Sequence, residues 1–371
     1  MCPLLIVIAL FFFSPYIKSS PPIRNREKFA LIDYDNDLHQ AIDIPITITS
    51  WDLSIVQLCL GTPPMCYPFK VATNFNEIFV MDVAVNSDGF NPVKSSTFVG
   101  SQNLIKFSYS KSTFIGYAVK DTLSLPNTNI ELRNFPFYLV SKGFISAPGY
   151  VGVIGFGYLE ANSEYSFISN LFAHNFISNK AFSLKYSVYS GTLRIGDHAH
   201  QNSIQYKSTP IKIQQKTELY YESVLDGIIF QSKDNAIQVF NKPQKVSFSP
   251  GSNRIFCPPG FYKFLTKNVF TSLLKIDDIC ELRYLDSGYP SVKCMKSILS
   301  KQLGELKFIF GKWSINYDII NLFYTCEIDQ VCIHFVEIDE SDDKWILGYP
   351  FLKRLETIFD LDTLKMSVRL K

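Results

Sequence analysis

The 371 residues suffice for one large or two medium domains with a substantial core. Hydrophobic residues make up 47% of the chain, with 32 Phe and 20 Tyr, a composition that favours strand-rich packing over a helical bundle. A formal net charge of +2 without any long basic run excludes nucleic acid as an expected partner. Residues 1–13 are a compact apolar block, closed by Ser14-Pro15 and followed by Ser19-Ser20. This reads as a secretory signal peptide over 1–19, although its first residues carry no basic side chain. An uncleaved anchor is the rival reading, but the stretch is proline-broken and shorter than the roughly 20 residues of a spanning helix. A secreted protein is expected, with no membrane association after cleavage. Residues 20–43, polar and charged with Arg24, Arg26 and Lys28, read as a leader or a vestigial pro-segment.

Strand patterning begins at Ile44, Ile46 and Ile48, which alternate with Pro45, Thr47 and Thr49 in the two-residue period of a half-buried strand. Further strands are expected over 54–60, 67–73 and 77–83. A hairpin is expected over 107–125, with Ser110-Lys111-Ser112 at its tip. A short helix over 167–175 and strands over 181–186, 192–195 and 207–213 complete the first half. In the second half, 220–230 and 245–249 read as strands. Pro258-Pro259-Gly260 then opens a helix carrying Phe261, Phe264, Leu265, Val269, Phe270, Leu273 and Leu274 on one face. Strands over 306–310, 345–347, 357–361 and 365–370 close the chain. The fold class expected is all-β with a few short helices.

Setting aside Cys2, seven of the eight cysteines remain: Cys59, Cys66, Cys257, Cys280, Cys294, Cys326 and Cys332. In an exported chain most are oxidised and one lacks an intrachain partner. Cys59 and Cys66 flank a Gly-Thr-Pro-Pro turn, which suits a bond across a hairpin. No spacing fits zinc. Asp197, His198 and His200 follow Gly196 in a turn and read as a solvated loop rather than a metal site. Neither a metal nor a cofactor is expected.

A weak duplication runs through the halves. Val71-Ala72-Thr73-Asn74 is followed later by Val153-Ile154-Gly155, and Phe248-Ser249-Pro250-Gly251 by Ile346-Leu347-Gly348. Each half thus has a strand ending in a tight turn, then an apolar-apolar-Gly segment. Leu60-Gly61-Thr62-Pro63-Pro64 and Ile78-Phe79-Val80 flank the first copy; Trp345 precedes the last, and Ile358-Phe359-Asp360 follows it. These runs resemble the pepsin-like aspartic peptidase family, in which the corresponding text reads Ile-Gly-Thr-Pro, Asp-Thr-Gly-Ser-Ser, Trp-Ile-Leu-Gly and Phe-Asp. The resemblance covers nearly the whole chain after residue 44. It implies a bilobal fold with a central cleft, lobes over 44–205 and 206–371, and a bridge between Cys294 and Cys332; Cys257, Cys280 and Cys326 are left unassigned.

The resemblance also implies where chemistry belongs. The family needs two carboxylates about one hydrogen bond apart that share a proton, one acting as base toward water and the other as acid toward the scissile carbonyl. The position matching the first aspartate is Ala72, which has no titratable group, and the second is placed at Ser249, whose hydroxyl is no substitute. Asp286-Ser287-Gly288 is a literal match to the motif, but it lacks the apolar strand that would deliver it and reads as an ordinary turn. Tyr109 falls where the family's flap tyrosine belongs, with an exposed hairpin aromatic as the competing reading. Phe79 replaces the tryptophan behind the flap, and Tyr349 stands where relatives often have Asp. The expected cleft residues are Tyr109, Thr73, Asn74, Asn76, Gly251 and Ser252. The expectation is a monomeric, catalytically silent homologue holding a peptide or protein in the cleft. An active aspartic endopeptidase and a structural or storage role are the alternatives.

Overall fold

The computed structural model describes residues 41–370 apart from 50–52, 110–111, 144–148, 158–163, 188, 197–206, 211, 216–218, 234, 241, 271–278, 285–289, 334 and 338–343. The signal-peptide reading, most of the leader, the Asp197, His198 and His200 loop and the Asp286-Ser287-Gly288 turn lie outside the described residues. The chain is mostly β with a few short helices. One 13-stranded sheet gathers the strands of the first half together with Lys207–Pro210, Leu355–Asp360 and Lys365–Leu370. The remaining strands form a 6-stranded sheet and two 4-stranded sheets. Among the described residues no helix is long and apolar enough to cross a membrane.

Local patterning explains the first elements. Ile42–Ile48 buries Ile42, Ile44 and Ile46 and exposes Asp43, Pro45 and Thr47, and it pairs antiparallel with Ser190–Ile195. Ser54–Leu60 and Met65–Ala72 form a hairpin whose turn begins at Gly61, with φ of 86°. The expected hairpin further on is present as Leu104–Tyr109 paired with Ser112–Ser124. The Phe167–Ala173 helix starts at Ser166, whose hydroxyl accepts the Ser169 N–H. Pro259 occupies the first turn of Pro259–Leu265, where its missing N–H costs nothing. That helix then widens over Thr266–Phe270.

Two expected strands prove to be pairs. The 207–213 run divides into Lys207–Pro210, paired with Lys365–Leu370, and Lys212–Gln215, paired with Leu219–Leu225 in another sheet. The 220–230 run breaks at Asp226, whose carboxylate accepts the Gly311 N–H at 2.5 Å. Leu219–Leu225 pairs with Gln244–Ser249, and Gly227–Gln231 with Glu305–Phe310. A continuous apolar run does not record the point at which a chain changes sheets.

The core runs between the halves as packed aromatics. Phe182 stacks on Phe359 with centroids 4.8 Å apart, and Tyr221 packs on Phe359 at 5.1 Å. The Tyr221 hydroxyl donates to the Phe156 carbonyl, tying the second half to the first.

Among the described residues three disulfides join Cys59 to Cys66, Cys280 to Cys294 and Cys326 to Cys332, and Cys257 is a buried free thiol. The Cys294–Cys332 bridge implied by the resemblance is therefore corrected. Register gives the reason: Cys294 stands opposite Val331 and Cys332 opposite Lys293, so the two thiols project from opposite faces of their sheet. Cys294 instead faces Cys280 directly across the neighbouring strand. Cys326 reaches Cys332 from an irregularity between Thr325 and Glu327. Non-reducing peptide mapping is expected to recover Cys280 linked to Cys294 and Cys326 linked to Cys332; a Cys294–Cys332 peptide would contradict this arrangement.

Candidate functional site

The duplicated pattern is realised as two parallel strand pairs. Met65–Ala72 runs beside Gly152–Gly155, with Ala72 opposite Gly155, and Gln244–Ser249 runs beside Lys344–Gly348, with Ser249 opposite Gly348. Glycine is required at both partners. A Cβ on Gly155 would meet the Phe75 carbonyl oxygen at 2.5 Å and that of Glu77 at 2.6 Å. On Gly348 it would collide with the Ser252 and Arg254 carbonyls. The turns are pinned by backbone bonds, Gly157 N–H to Phe75 O at 2.5 Å in the first and Tyr349 N–H to Ser252 O at 2.7 Å in the second.

These two turns touch. A Cβ on Gly251 would lie 2.6 Å from the Val71 carbonyl oxygen and 3.2 Å from the Ala72 Cα. The Thr73 hydroxyl donates across the junction to the Phe248 carbonyl at 3.3 Å. Position 250 is a proline, with neither hydroxyl nor N–H, so this position cannot return the bond. Ala72, Thr73 and Asn76 are buried, Ser249 nearly so, and Asn74 and Ser252 are half-buried. The junction thus brings Ala72, Thr73 and Gly251 together. Tyr109 sits at the end of its strand with its backbone opposite Ser112.

Around Ala72 the first half is apolar. Ala72 belongs to a cluster with Leu53, Ile55, Phe79, Phe114, Val140 and Val153, against which Phe75, Phe107 and Tyr138 pack. Phe79 is its centre, 5.1 Å from both Phe75 and Phe107 and 5.4 Å from Tyr138. Tyr138 in turn stacks on Tyr165 at 5.0 Å with an interplanar angle of 7°.

One acid borders this cluster. Glu77 is half-buried, and the burial pushes its carboxyl above the ordinary glutamate value of 4.5, against the opposing pull of its own and the Asn76 backbone N–H. With its amide nitrogen turned toward the carboxylate, Asn76 also donates to both Glu77 oxygens at 2.9 and 2.7 Å. Burial, Tyr165 and Glu77 together push the Tyr138 phenol upward.

The second turn differs. The Ser249 hydroxyl makes no hydrogen bond among the described residues. Ser252 Oγ accepts the Arg254 N–H at 3.2 Å and donates to the Arg254 carbonyl at 3.1 Å. The Arg254 guanidinium lies 5.0 Å from the Tyr324 ring centroid and donates from Nη1 to Tyr324 Oη at 2.7 Å. Tyr349 is buried, edge-on to Tyr186. Among the described residues no group of three or more His, Cys, Asp and Glu is placed to hold a metal. Glu77, Tyr138, Arg254 and Tyr324 were not singled out from the sequence, where a lone Glu or Arg beside a motif carries no signal until its neighbours are known.

A mostly β chain with a strand, a tight turn and a returning apolar-Gly strand in each half, the two turns touching, has the pepsin-like architecture. A family model described as Eukaryotic aspartyl protease matches residues 55–369, and the chain belongs to that family. It is 23% identical over 336 residues to Cathepsin D of Rattus norvegicus and 22% identical over 338 residues to Cathepsin D of Homo sapiens. Each of these comparisons covers 82% of this chain and 77% of the relative. It is also 20% identical over 355 residues to Chymosin of Camelus dromedarius, covering 90% of this chain and 85% of that protein.

Two measurements probe this geometry. Thr73→Val removes the cross-junction donor and is expected to lower unfolding stability by about 1 kcal/mol in urea titrations; an unchanged midpoint would show that the bond contributes nothing. Glu77 has a folded pKa raised above 4.5, so its contribution is fully present below that value and is lost as pH climbs through the raised one. Glu77→Gln is therefore expected to gain thermal stability relative to the native chain as pH rises through that window, with melting curves from acid to neutral pH as the readout.

Proposed function

We propose that this chain is an exported, non-cleaving homologue of the pepsin-like endopeptidases that holds a peptide or protein in the cleft between its halves. The observation that carries the reading is Ala72. In this assignment Ala72 and Ser249 occupy the places of the two family aspartates, and proton sharing between carboxylates has no substitute in a methyl group and a hydroxyl. No acidic residue occurs from Val71 to Asn76 or from Phe248 to Arg254. Glu77 is the nearest acid along the first turn, a single carboxyl already engaged by Asn76. The apolar cluster around Ala72 supports binding without turnover, because an apolar side chain placed there leaves no charge to be desolvated. Three disulfides support an oxidising, secretory environment.

The rival reading, an active aspartic endopeptidase, draws on family membership, since that membership follows the framework rather than the acids. The two separate in an acid-pH digest of haemoglobin or casein with and without pepstatin. No pepstatin-sensitive release of peptides is expected, and cleavage that pepstatin blocks would overturn the proposal. A defined peptide or protein co-purifying with the chain is expected from the binding reading and not from a purely structural role.

A further inference from the structure

We propose that the second turn of the junction recognises a carboxylate, with Arg254 as its partner, so that the bound peptide is acidic at that point. This rests on the peptide-binding reading above and names the chemistry of what is bound. Arg254 lies three residues beyond Gly251, the residue whose backbone abuts Val71 and Ala72. Its backbone is held by the reciprocal bonds with Ser252, and Ser252 is itself held by the Tyr349 N–H. The base of the arginine is therefore fixed relative to the junction.

The side chain is fixed as well. It is half-buried, rests on the face of Tyr324 and bonds the phenol oxygen through Nη1. That interaction satisfies one of five guanidinium donors. Among the described residues no carboxylate pairs with Arg254. Arg133 pairs with Glu131, Arg194 with Asp43 and Arg369 with Glu356, whereas Arg254, like Arg354 on Asn321, has a neutral side-chain partner. A planar, permanently charged group partly withdrawn from water, oriented by an aromatic ring and lacking a counter-ion, matches a bidentate carboxylate.

Local charge points the same way. A proton-sharing acid pair would give a junction negative character and repel an incoming carboxylate. Here Arg254 is the sole charged residue from Phe248 to Ile255. The Ser249 hydroxyl, without a hydrogen-bond partner among the described residues, is a further donor on the same turn. The carboxylate could come from an acidic side chain or from a peptide's own C-terminus, and both supply the same planar pair of oxygens.

The test uses the full chain and fluorescein-labelled octapeptides on an apolar frame, read by fluorescence anisotropy. In one arm a single Glu is moved through every position, each peptide having a Gln twin; in the other the frame has a free-acid or an amidated C-terminus. One Glu position, or the free-acid terminus, is expected to bind about tenfold tighter than its uncharged twin at low salt, the scale of a charge-assisted hydrogen bond. The advantage is expected to shrink in high salt. Arg254→Gln is expected to abolish the preference, and Arg254→Lys, which keeps the charge without the fork, to retain part of it. Should the Gln variant fail to fold, the Lys variant and Tyr324→Phe supply the same comparison, each expected to show a reduced preference. Peptides that bind equally with and without the carboxylate sink this inference and leave the binding reading standing, as does a full preference surviving in Arg254→Gln. Absence of binding by every peptide sinks both.

Discussion

The backbone-to-backbone contact between Gly251 and the Val71–Ala72 peptide is the constraint on which the rest of the architecture depends. The approach leaves no room for a side chain at Gly251, so two strand ends from distant parts of the sequence are held turn against turn. The single Thr73 hydroxyl bond to Phe248 then sets their lateral alignment. Behind each turn a glycine repeats the requirement, Gly155 for one and Gly348 for the other, because a second strand must run parallel and close. Three tight glycine approaches and one hydrogen bond thus hold the ends of the Ala72 and Ser249 strands at a common junction. The geometry is maintained by residues that carry no chemistry of their own.

What surrounds the junction is asymmetric. On the first side, aromatic rings crowd Ala72, and the bordering acid, Glu77, is shifted toward its neutral form by burial. On the second side, serines and an arginine seated on tyrosine make a polar, cationic turn. Buried acids at such a place must be solvated by surrounding donors, a demand that Ala72 and Ser249, in the proposed reading, do not make. Apolar packing and a positive charge are then tolerated where a protonatable pair would oppose both.

The elements legible in the sequence are those whose signal is local. The alternating isoleucines of the first described strand, the Gly-Thr-Pro hairpin with its flanking cysteines, the proline-opened helix and the repeated apolar-Gly segments all appear where their pattern places them. The disulfides of the second half were not legible, because pairing depends on which face of a strand each cysteine occupies, and register is a property of the neighbouring strand. The change of sheet between Pro210 and Lys212 and the break at Asp226 are not legible for a related reason: hydrophobic pattern reports burial but not the identity of the sheet. Arg254 and Tyr324 stand seventy residues apart, and only the folded chain gives the arginine its aromatic seat.

The thirteen-stranded sheet contains the last two strands of the polypeptide, with Leu355–Asp360 lying directly against Ala181–Tyr186. During biosynthesis the edge of Ala181–Tyr186 is therefore without its neighbour until Leu355–Asp360 has emerged. Between the synthesis of these two strands the nascent chain carries an open hydrogen-bonding margin, which only a long-range pairing closes. Loss of Leu355–Asp360 would leave that margin open, so a segment far along the chain is as much a condition for closing the sheet as any residue at the centre.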